Sequence, residues 1–274
     1  MAGKYYRSAP LALLVASVLV MLCVSSVVAS RDVQGSILMR CLHNKRNIID
    51  ITHTLDETDP SDTQNGPHFQ RVVTHSFPSE NYRKETYTFP GGIGTTMDAV
   101  THAFATGKTI DQYSPYDLIS PVVVIDVQAK VASNPSYAVT KQDILDYEDV
   151  YDIIPNGSLV LAKTGWYQYY RNETAYRAPI PGSWQYDFPG FGDEAATFLR
   201  DERDIHALGD DSPSIDFGRT FTYGVHITNL GAGKYNLENL NLAGNIPPSG
   251  ACAITLPMKI RGAPEAPIRA LILY

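Results

Sequence analysis

The sequence has 274 residues, enough for one large domain or two small ones with a hydrophobic core. Its composition, 44% hydrophobic and 19% charged, is that of a globular protein and excludes a disordered chain. The formal net charge is −7 and no basic run is available to neutralise phosphates, which argues against nucleic acid as a partner.

The first thirty residues have the pattern of a secretory signal peptide. A basic start at Lys4 and Arg7 precedes an apolar run over residues 11–28, which ends in small residues suited to cleavage. The alternative is an uncleaved anchor, because this run is about long enough to span a bilayer. We predict cleavage, a secreted, extracellular protein and no membrane contact afterwards. The predicted organisation is signal peptide 1–30, N-terminal segment 31–48 and one domain 49–274.

Secretion bears on the cysteines and on two asparagines. Cys23 lies in the predicted signal, so Cys41 and Cys252 remain, either as a disulfide in an oxidising compartment or as two free thiols. Asn156 and Asn172 each begin an Asn-X-Ser/Thr triplet, the acceptor for N-glycosylation. Such triplets occur often by chance, so they support secretion only weakly.

Alternating polar and apolar residues predict strands in the first half of the domain. Residues 49–55 form one strand, and 71–77 with 83–89 form a hairpin that leads into a glycine-rich turn. Residues 56–67 are rich in Asp, Thr, Pro and Asn, which predicts a loop. Residues 121–131 are largely apolar with little alternation, which is typical of a buried strand.

The second half mixes helices with strands. One helix is predicted after Thr140, which forms a variant capping box with Asp143, and another over residues 193–205. Further strands are predicted over residues 158–162, 223–228, 251–257 and 270–274. Strands mixed with a few helices predict an α/β protein, a single domain with a mixed β-sheet core.

An aspartate and a histidine follow the glycine-rich turn. Asp98 and His102 lie four residues apart, shortly before the predicted buried strand. Polar groups on a short irregular segment held by buried strands often form a site. The plain alternative is a solvated aspartate and a hydrogen-bonded loop histidine. The glycines themselves do not indicate a nucleotide-binding loop, because the strand–turn–helix context is missing.

This stretch resembles the signature of the cyclase family of metal-dependent hydrolases, His-x-Gly-Thr-His-x-Asp-x-Pro-x-His. The matching residues are Gly94, Thr95, Asp98 and His102. Gly92 and Thr96 stand where the family has histidines, and Val100 replaces the proline. The resemblance covers about residues 49–272. Further segments similar to family motifs are 118–127, 161–166, 187–196, 208–216, 235–240, 256–262 and 266–270.

The resemblance implies a cyclase-like fold and metal-dependent hydrolysis of a small amide, formamide or lactam, as in bacterial kynurenine formamidase and isatin hydrolase. By position, Asp98, His226 and Glu238 would hold a metal ion and His102 would be the general acid/base. A second ion loses two of its three ligands here, because glycine and threonine replace histidines. We therefore expect one divalent ion, zinc or manganese, a small-molecule amide substrate and a homo-oligomer.

Two interpretations stay open. The first is a secreted, arylformamidase-like hydrolase with one metal. The second is a catalytically inactive pseudoenzyme that serves as a secreted binding or extracellular-matrix protein, because Gly92, Thr96 and Val100 all depart from one short motif. Asp98 also has a plain alternative as a turn cap, and His226 as a strand histidine bonded to Glu238. The histidines that could replace the lost ligands are His53, His68 and His75, although their spacing does not show it.

Overall fold

Twelve strands and five α-helices are found in the computed structural model, which describes residue 43 and residues 47–60 and 68–274. The strands are β1 Ile48–Asp50, β2 Gln70–His75, β3 Lys84–Thr88, β4 Thr96–Asp98, β5 Ile119–Asp126, β6 Ala138–Val139, β7 Leu159–Lys163, β8 Gly190–Phe191, β9 Ala207–Asp210, β10 Tyr235–Glu238, β11 Ala251–Pro257 and β12 Glu265–Leu273. The helices are α1 Gln128–Ser133, α2 Lys141–Tyr151, α3 Glu173–Arg177, α4 Asp193–Glu202 and α5 Gly224–Gly231. Short 3₁₀ turns lie at Val100–His102, Ile110–Gln112 and Trp166–Tyr169.

The main sheet closes on itself. Its eight strands follow the order β1-β12-β11-β5-β7-β9-β10-β4, and β4 also pairs with β12. This second pairing joins seven strands into a barrel-like ring, with β1 attached outside it along β12. In this sheet the pairs β5–β7, β7–β9 and β9–β10 are parallel, and the other pairs are antiparallel. We call the place where β4 pairs with both β10 and β12 the seam.

Two apolar clusters cover the two faces of this sheet. One draws residues from all seven ring strands, among them Met97, Leu237 and Ala266, and fills the inside of the ring. The other joins strand residues such as Val160 to the helices α4 and α5 on the outside. Because side chains alternate along a strand, Thr96 and Asp98 face outward, opposite to Met97 between them.

Most predicted elements are confirmed. The hairpin is β2 paired antiparallel with β3, and the buried strands are β5, β7 and β11. Helix α2 begins at the predicted cap, where Thr140 Oγ1 accepts a hydrogen bond from the Asp143 backbone N–H at 3.2 Å. The Asp143 carboxylate in turn accepts one from the Thr140 N–H at 2.7 Å. The mixed sheet with a few flanking helices is the α/β fold that the sequence predicts.

Three predicted strands are wrong in part or whole. The strand predicted over residues 49–55 ends at Asp50, and Thr52 forms only an isolated bridge with Leu240. Residues 223–228 form the start of helix α5 rather than a strand. Asp216, nine residues before Val225, accepts hydrogen bonds from two backbone N–H groups in the first turn of this helix, and the alternation within residues 223–228 cannot reveal such a cap. Residues 121–131 form a strand only as far as Asp126, and α1 follows from Gln128.

Several predictions lie outside the described residues. These are the signal peptide 1–30, most of the segment 31–48, residues 61–67 of the predicted loop and Cys41. Within the part of the chain that the structure covers, helices are too short or too polar to cross a bilayer.

Candidate metal centre

The strand β4 brings Asp98 to the seam. Gly94 turns the chain just before this strand with φ +72°, and an added Cβ would overlap the Leu55 side chain, so glycine is required there. Asp98 is 1% exposed, and its buried Oδ2 has no hydrogen-bond partner. Burying a carboxylate oxygen without a hydrogen-bond partner costs free energy unless a nearby cation compensates its charge.

Helix α5 places His226 against this oxygen. The His226 Nε2 atom lies 3.4 Å from Asp98 Oδ2, a distance without hydrogen-bond geometry. Asp216 holds the ring from the other side, because its carboxylate lies 2.6 Å from Nδ1 and also accepts from the His226 backbone N–H at 3.1 Å. We assign a hydrogen to Nδ1 from this contact, so that Nε2 faces the site.

Glu238 completes the group at the end of β10. Its Oε1 lies 3.2 Å from His226 Nε2 and accepts a hydrogen bond from the Ile215 backbone N–H at 2.9 Å. Burial raises the pKa of Glu238 and the charge of Asp98 adds to this, whereas His226 opposes it. Asp98 and Glu238 therefore both lie beside His226 Nε2, although the cluster of donor atoms within 4.8 Å of one another consists of Asp98, His102 and His226 without Glu238.

The charge balance of the group favours a cation. Burial lowers the pKa of His226, but its contacts with Asp216, Asp98 and Glu238 outweigh burial and raise it well above the ordinary value. A proton on Nε2 therefore compensates part of the negative charge of the carboxylates when no metal ion is bound. A metal ion would have to replace that proton.

His102 lies at the same place. It ends the 3₁₀ turn that follows β4, and its side chain is 36% exposed. One donor atom each from Asp98, His102 and His226 lie within 4.8 Å of one another. The Nδ1 atom of His102 lies 3.7 Å from Oε2 of Glu265, the first residue of β12. His102 is thus near enough to act as a ligand or as a proton-transfer group.

The two positions that lack histidine also border the site. Gly92 lines the adjacent cavity and offers no side chain. Thr96 is 1% exposed and lies directly opposite Glu238 in the β4–β10 pair. The remaining carboxylates and imidazoles nonetheless fit one divalent ion, because three protein ligands with an open position suffice for a catalytic centre. The unpartnered Oδ2 of Asp98 is the structural sign of that fit.

A cavity of about 590 Å³ opens over these residues. His102, His226 and Glu238 lie on its wall together with Arg177. Its aromatic lining consists of Tyr170, Tyr176, Trp184, Tyr186, Phe188, Phe217 and Tyr223. The space and the aromatic walls suit a small flat molecule.

Two residues of the site were not predicted from the sequence. Asp216 lies in a segment that resembles a family motif, but nothing in the sequence gave it a role. Glu265 lies just outside the last such segment, and only the strand register brings it to the site. The three candidate replacement histidines are engaged elsewhere. The ring of His53 stacks on that of Tyr170 with 3.6 Å between the ring centroids. The Nδ1 atom of His68 lies 3.1 Å from the Asp59 carbonyl oxygen, and the ring of His75 stacks on that of Tyr82.

The predicted modification sites are exposed. The Asn156 Nδ2 donates a hydrogen bond to Asp204 at 2.8 Å, whereas Asn172 caps α3 through its Oδ1 alone. An attached sugar at Nδ2 of Asn172 would therefore leave the cap intact. Cys252 is disulfide-bonded, and its predicted partner Cys41 lies outside the described residues.

The closed mixed sheet with carboxylates and imidazoles at its seam is the architecture of cyclase-like metal-dependent hydrolases. The Cyclase family model matches residues 49–217, and the chain belongs to this family. The family and the fold predicted from the sequence are thereby confirmed.

Named relatives agree. An isatin hydrolase of Roseibium aggregatum is 28% identical over 207 residues, which cover 66% of this chain and 70% of the relative. A kynurenine formamidase of Salinibacter ruber is 27% identical over 179 residues, which cover 65% of this chain and 74% of the relative. The solved isatin hydrolase A of Labrenzia aggregata, bound to benzyl benzoate, superimposes with a TM-score of 0.77 at 27% identity, covering 83% of this chain and 93% of that one. The chain is thus related to hydrolases of the cyclase family.

Proposed function

We propose that this protein is a secreted hydrolase that cleaves a small amide, formamide or lactam with one divalent metal ion, zinc or manganese. The observation that carries the proposal is the buried, unpartnered Oδ2 of Asp98, 3.4 Å from His226 Nε2 at the wall of the cavity. The names of the two relatives, a hydrolase of isatin and a formamidase, support amide-type chemistry.

The residues of the site have separate tasks in this reaction. A bound divalent ion lowers the pKa of water and polarises a carbonyl. Asp98, His226 and Glu238 would hold the ion, and Asp216 and the Ile215 N–H fix two of these side chains in advance. His102, open to the cavity, would accept the proton of the attacking water and return it to the leaving nitrogen. The aromatic walls would orient the substrate.

The decisive experiment measures metal and turnover together. Protein secreted from a eukaryotic host is analysed for bound metal and assayed with N-formylkynurenine and with isatin, before and after chelation. We expect about one ion per chain and turnover that chelation removes and the ion restores. Asp98→Asn should abolish both, whereas the exposed control Glu202→Gln, far from the cavity lining, should change neither. Absence of both metal and turnover in the native protein would refute the proposal.

The pseudoenzyme remains a second candidate because Gly92 and Thr96 remove two imidazoles from the family site. The test is the double variant Gly92→His, Thr96→His. If it gains metal and turnover that the native protein lacks, the native fold is a binding protein without chemistry. Turnover by the native protein that Asp98→Ala abolishes would exclude this candidate.

Secretion has its own test. The exposed triplets at Asn156 and Asn172 and the disulfide of Cys252 support an oxidising, glycosylating compartment. Thr174→Ala removes the second triplet but keeps the Asn172 cap, so it should lose one glycan by mass spectrometry with an unchanged melting temperature. Self-association, expected from the family resemblance, is measured by light scattering. An intracellular, unglycosylated protein would contradict the secretion proposal.

A further inference from the structure

A third carboxylate stands at the seam beside the proposed ligands. Glu265 begins β12 and lies directly opposite Asp98 in the antiparallel β4–β12 pair. Directly opposed residues point to the same face of a sheet, with Cβ atoms roughly 4.5–5.5 Å apart. Glu265 is therefore directed to the outer face of the seam, where Asp98 faces His226.

The contacts of Glu265 place its carboxylate beside His102, at the edge of the donor cluster. Its Oε2 lies 3.7 Å from His102 Nδ1, and His102 shares a donor cluster with Asp98 and His226. The side chain is 24% exposed and lines the cavity that Gly92 also lines, and it lies against Gly91. The structure therefore places an extra carboxylate near a position where the family signature has an imidazole.

The glycine-rich turn provides the space for this side chain. A Cβ added to Gly91 would lie 2.9 Å from Glu265 Cγ and 3.1 Å from its Oε1, closer than such atoms normally approach. The absence of a side chain at position 91 thus lets the Glu265 carboxylate occupy its place. The backbone of Gly91 is outside the left-handed region, so glycine is not needed there for its conformation.

The charges also point to a cation. Like charges directly opposite each other in a sheet destabilise the pairing of the two strands. Asp98 and Glu265 are such a pair, and Glu238 adds a third carboxylate on the far side of β4. Asp98 Oδ2 is buried without a hydrogen-bond partner, so a protonated His226 at 3.4 Å compensates its charge only in part.

We propose that Glu265 is a ligand of the metal ion and stands in for the missing histidines at positions 92 and 96. This inference rests on the proposed one-metal function. The resulting ligand set, Asp98, Glu238 and Glu265 with His226, is rich in oxygen, and His102 keeps its proton-transfer role. Oxygen donors suit Mn²⁺ better than Zn²⁺, so the loss of one should weaken Mn²⁺ binding more.

Metal titration of the full chain tests the proposal. Mn²⁺ and Zn²⁺ are titrated separately into metal-free protein by calorimetry, with Mn²⁺ also followed by loss of its free electron-paramagnetic-resonance signal. We expect Glu265→Gln to weaken Mn²⁺ binding at least about tenfold, in the range seen when a supporting group of a metal site is lost. Asp98→Asn should abolish binding. Glu202→Gln, which removes an equal charge at an exposed helix end, should leave it unchanged.

A second variant separates ligation from general loss of charge. Gly91→Ala should displace the Glu265 carboxylate and weaken Mn²⁺ binding severalfold, but it should add nothing in the Glu265→Gln background. Melting curves establish that each variant is folded.

The two possible failures are distinct. Binding by native protein that Asp98→Asn abolishes and Glu265→Gln leaves within twofold would overturn the role of Glu265 alone. No binding by native protein would overturn the proposed function as well.

Discussion

At the scale of single residues, the orientation of His226 depends on Asp216. This carboxylate accepts hydrogen bonds from Nδ1 of the ring and from two backbone N–H groups of α5. It therefore fixes both the ring and the helix that carries it. Groups in this position set the tautomer of a histidine ligand. Asp216 is therefore a positioning residue for the proposed centre.

We expect Asp216→Asn to weaken metal binding about 10- to 100-fold, because an amide cannot accept all of these hydrogen bonds with its one oxygen. Calorimetric titration of Mn²⁺ gives the dissociation constant. A melting curve run in parallel separates loss of the helix cap from loss of ligand orientation. An unchanged dissociation constant would show that His226 is oriented by other contacts.

What the sequence reveals at this scale depends on the kind of signal. Asp98, His226 and Glu238 were predicted as one group through the family resemblance, and the structure brings them together. Their roles stay predictions. Asp216 and Glu265 could not be assigned, because a cap from outside the helix and a strand register leave no periodic pattern in the chain.

At the scale of elements, the helices are held by specific polar pairs. Glu148 of α2 accepts hydrogen bonds from Arg203, just after α4, at 2.6 and 2.8 Å. The two side chains are 7% and 16% exposed, so solvent screens them little. The bond to Arg203 lowers the pKa of Glu148.

We expect Arg203→Met to lower the free energy of unfolding by about 1–3 kcal/mol at pH 7. Since the pKa of Glu148 is lowered in the folded protein, its contribution is present above the unfolded value near 4.5 and is lost as pH falls through the folded value. The difference between variant and native protein should therefore shrink in acid. Denaturant unfolding at several pH values measures it.

The control is Arg200→Met, which breaks an exposed pair with Asp201. It should cost less than about 1 kcal/mol, the usual range for surface ion pairs. An equal cost for both arginines would show that burial of the Glu148 pair adds nothing.

Elements with a complete local signal were predictable. The cap at Thr140 and the hairpin β2–β3 carry their information within a few residues. Helix α5 does not, because its first turn is satisfied from Asp216 and its residues alternate like those of a strand. Tertiary contacts override the local pattern there.

At the scale of the whole molecule, the disulfide at Cys252 adds covalent stability. Cys252 is fully buried in β11, a strand of the ring. Removing a native disulfide costs about 2–5 kcal/mol in small secreted domains. We expect Cys252→Ala to lower the melting temperature and a reducing agent to lower that of the native protein.

The reducing agent should have no effect on Cys252→Ala, which is the matched control. Mass spectrometry of the unreduced protein identifies the partner cysteine. If the native protein melts at the same temperature with and without reductant, the bond contributes nothing to stability.

Closure of the ring is the part of the architecture that no sequence pattern contains. It requires β4, only three residues long, to pair with both β10 and β12. Both partners follow far along the chain, and long-range pairing leaves no periodic signal. The class of fold was therefore predictable, whereas the position of its closing strand was not.

Three of the proposed ligands, Asp98, Glu238 and Glu265, lie on β4, β10 and β12, so a bound ion would join the closing strand to its neighbours. An ion that binds only the folded protein at a hundred times its dissociation constant stabilises it by about 2.7 kcal/mol. For a chain of this size we expect a rise in melting temperature of about 5–10 °C on adding Mn²⁺ to metal-free protein. Asp98→Asn should remove that rise, and an equal rise in this variant would place the ion elsewhere.

Such an ion would hold the barrel closed as well as take part in the reaction. The amide protons of β4 should exchange with solvent more slowly when it is bound, because opening the ring would first require its release. Selection for a barrel that stays closed would then preserve these ligands even in a descendant that had lost its substrate.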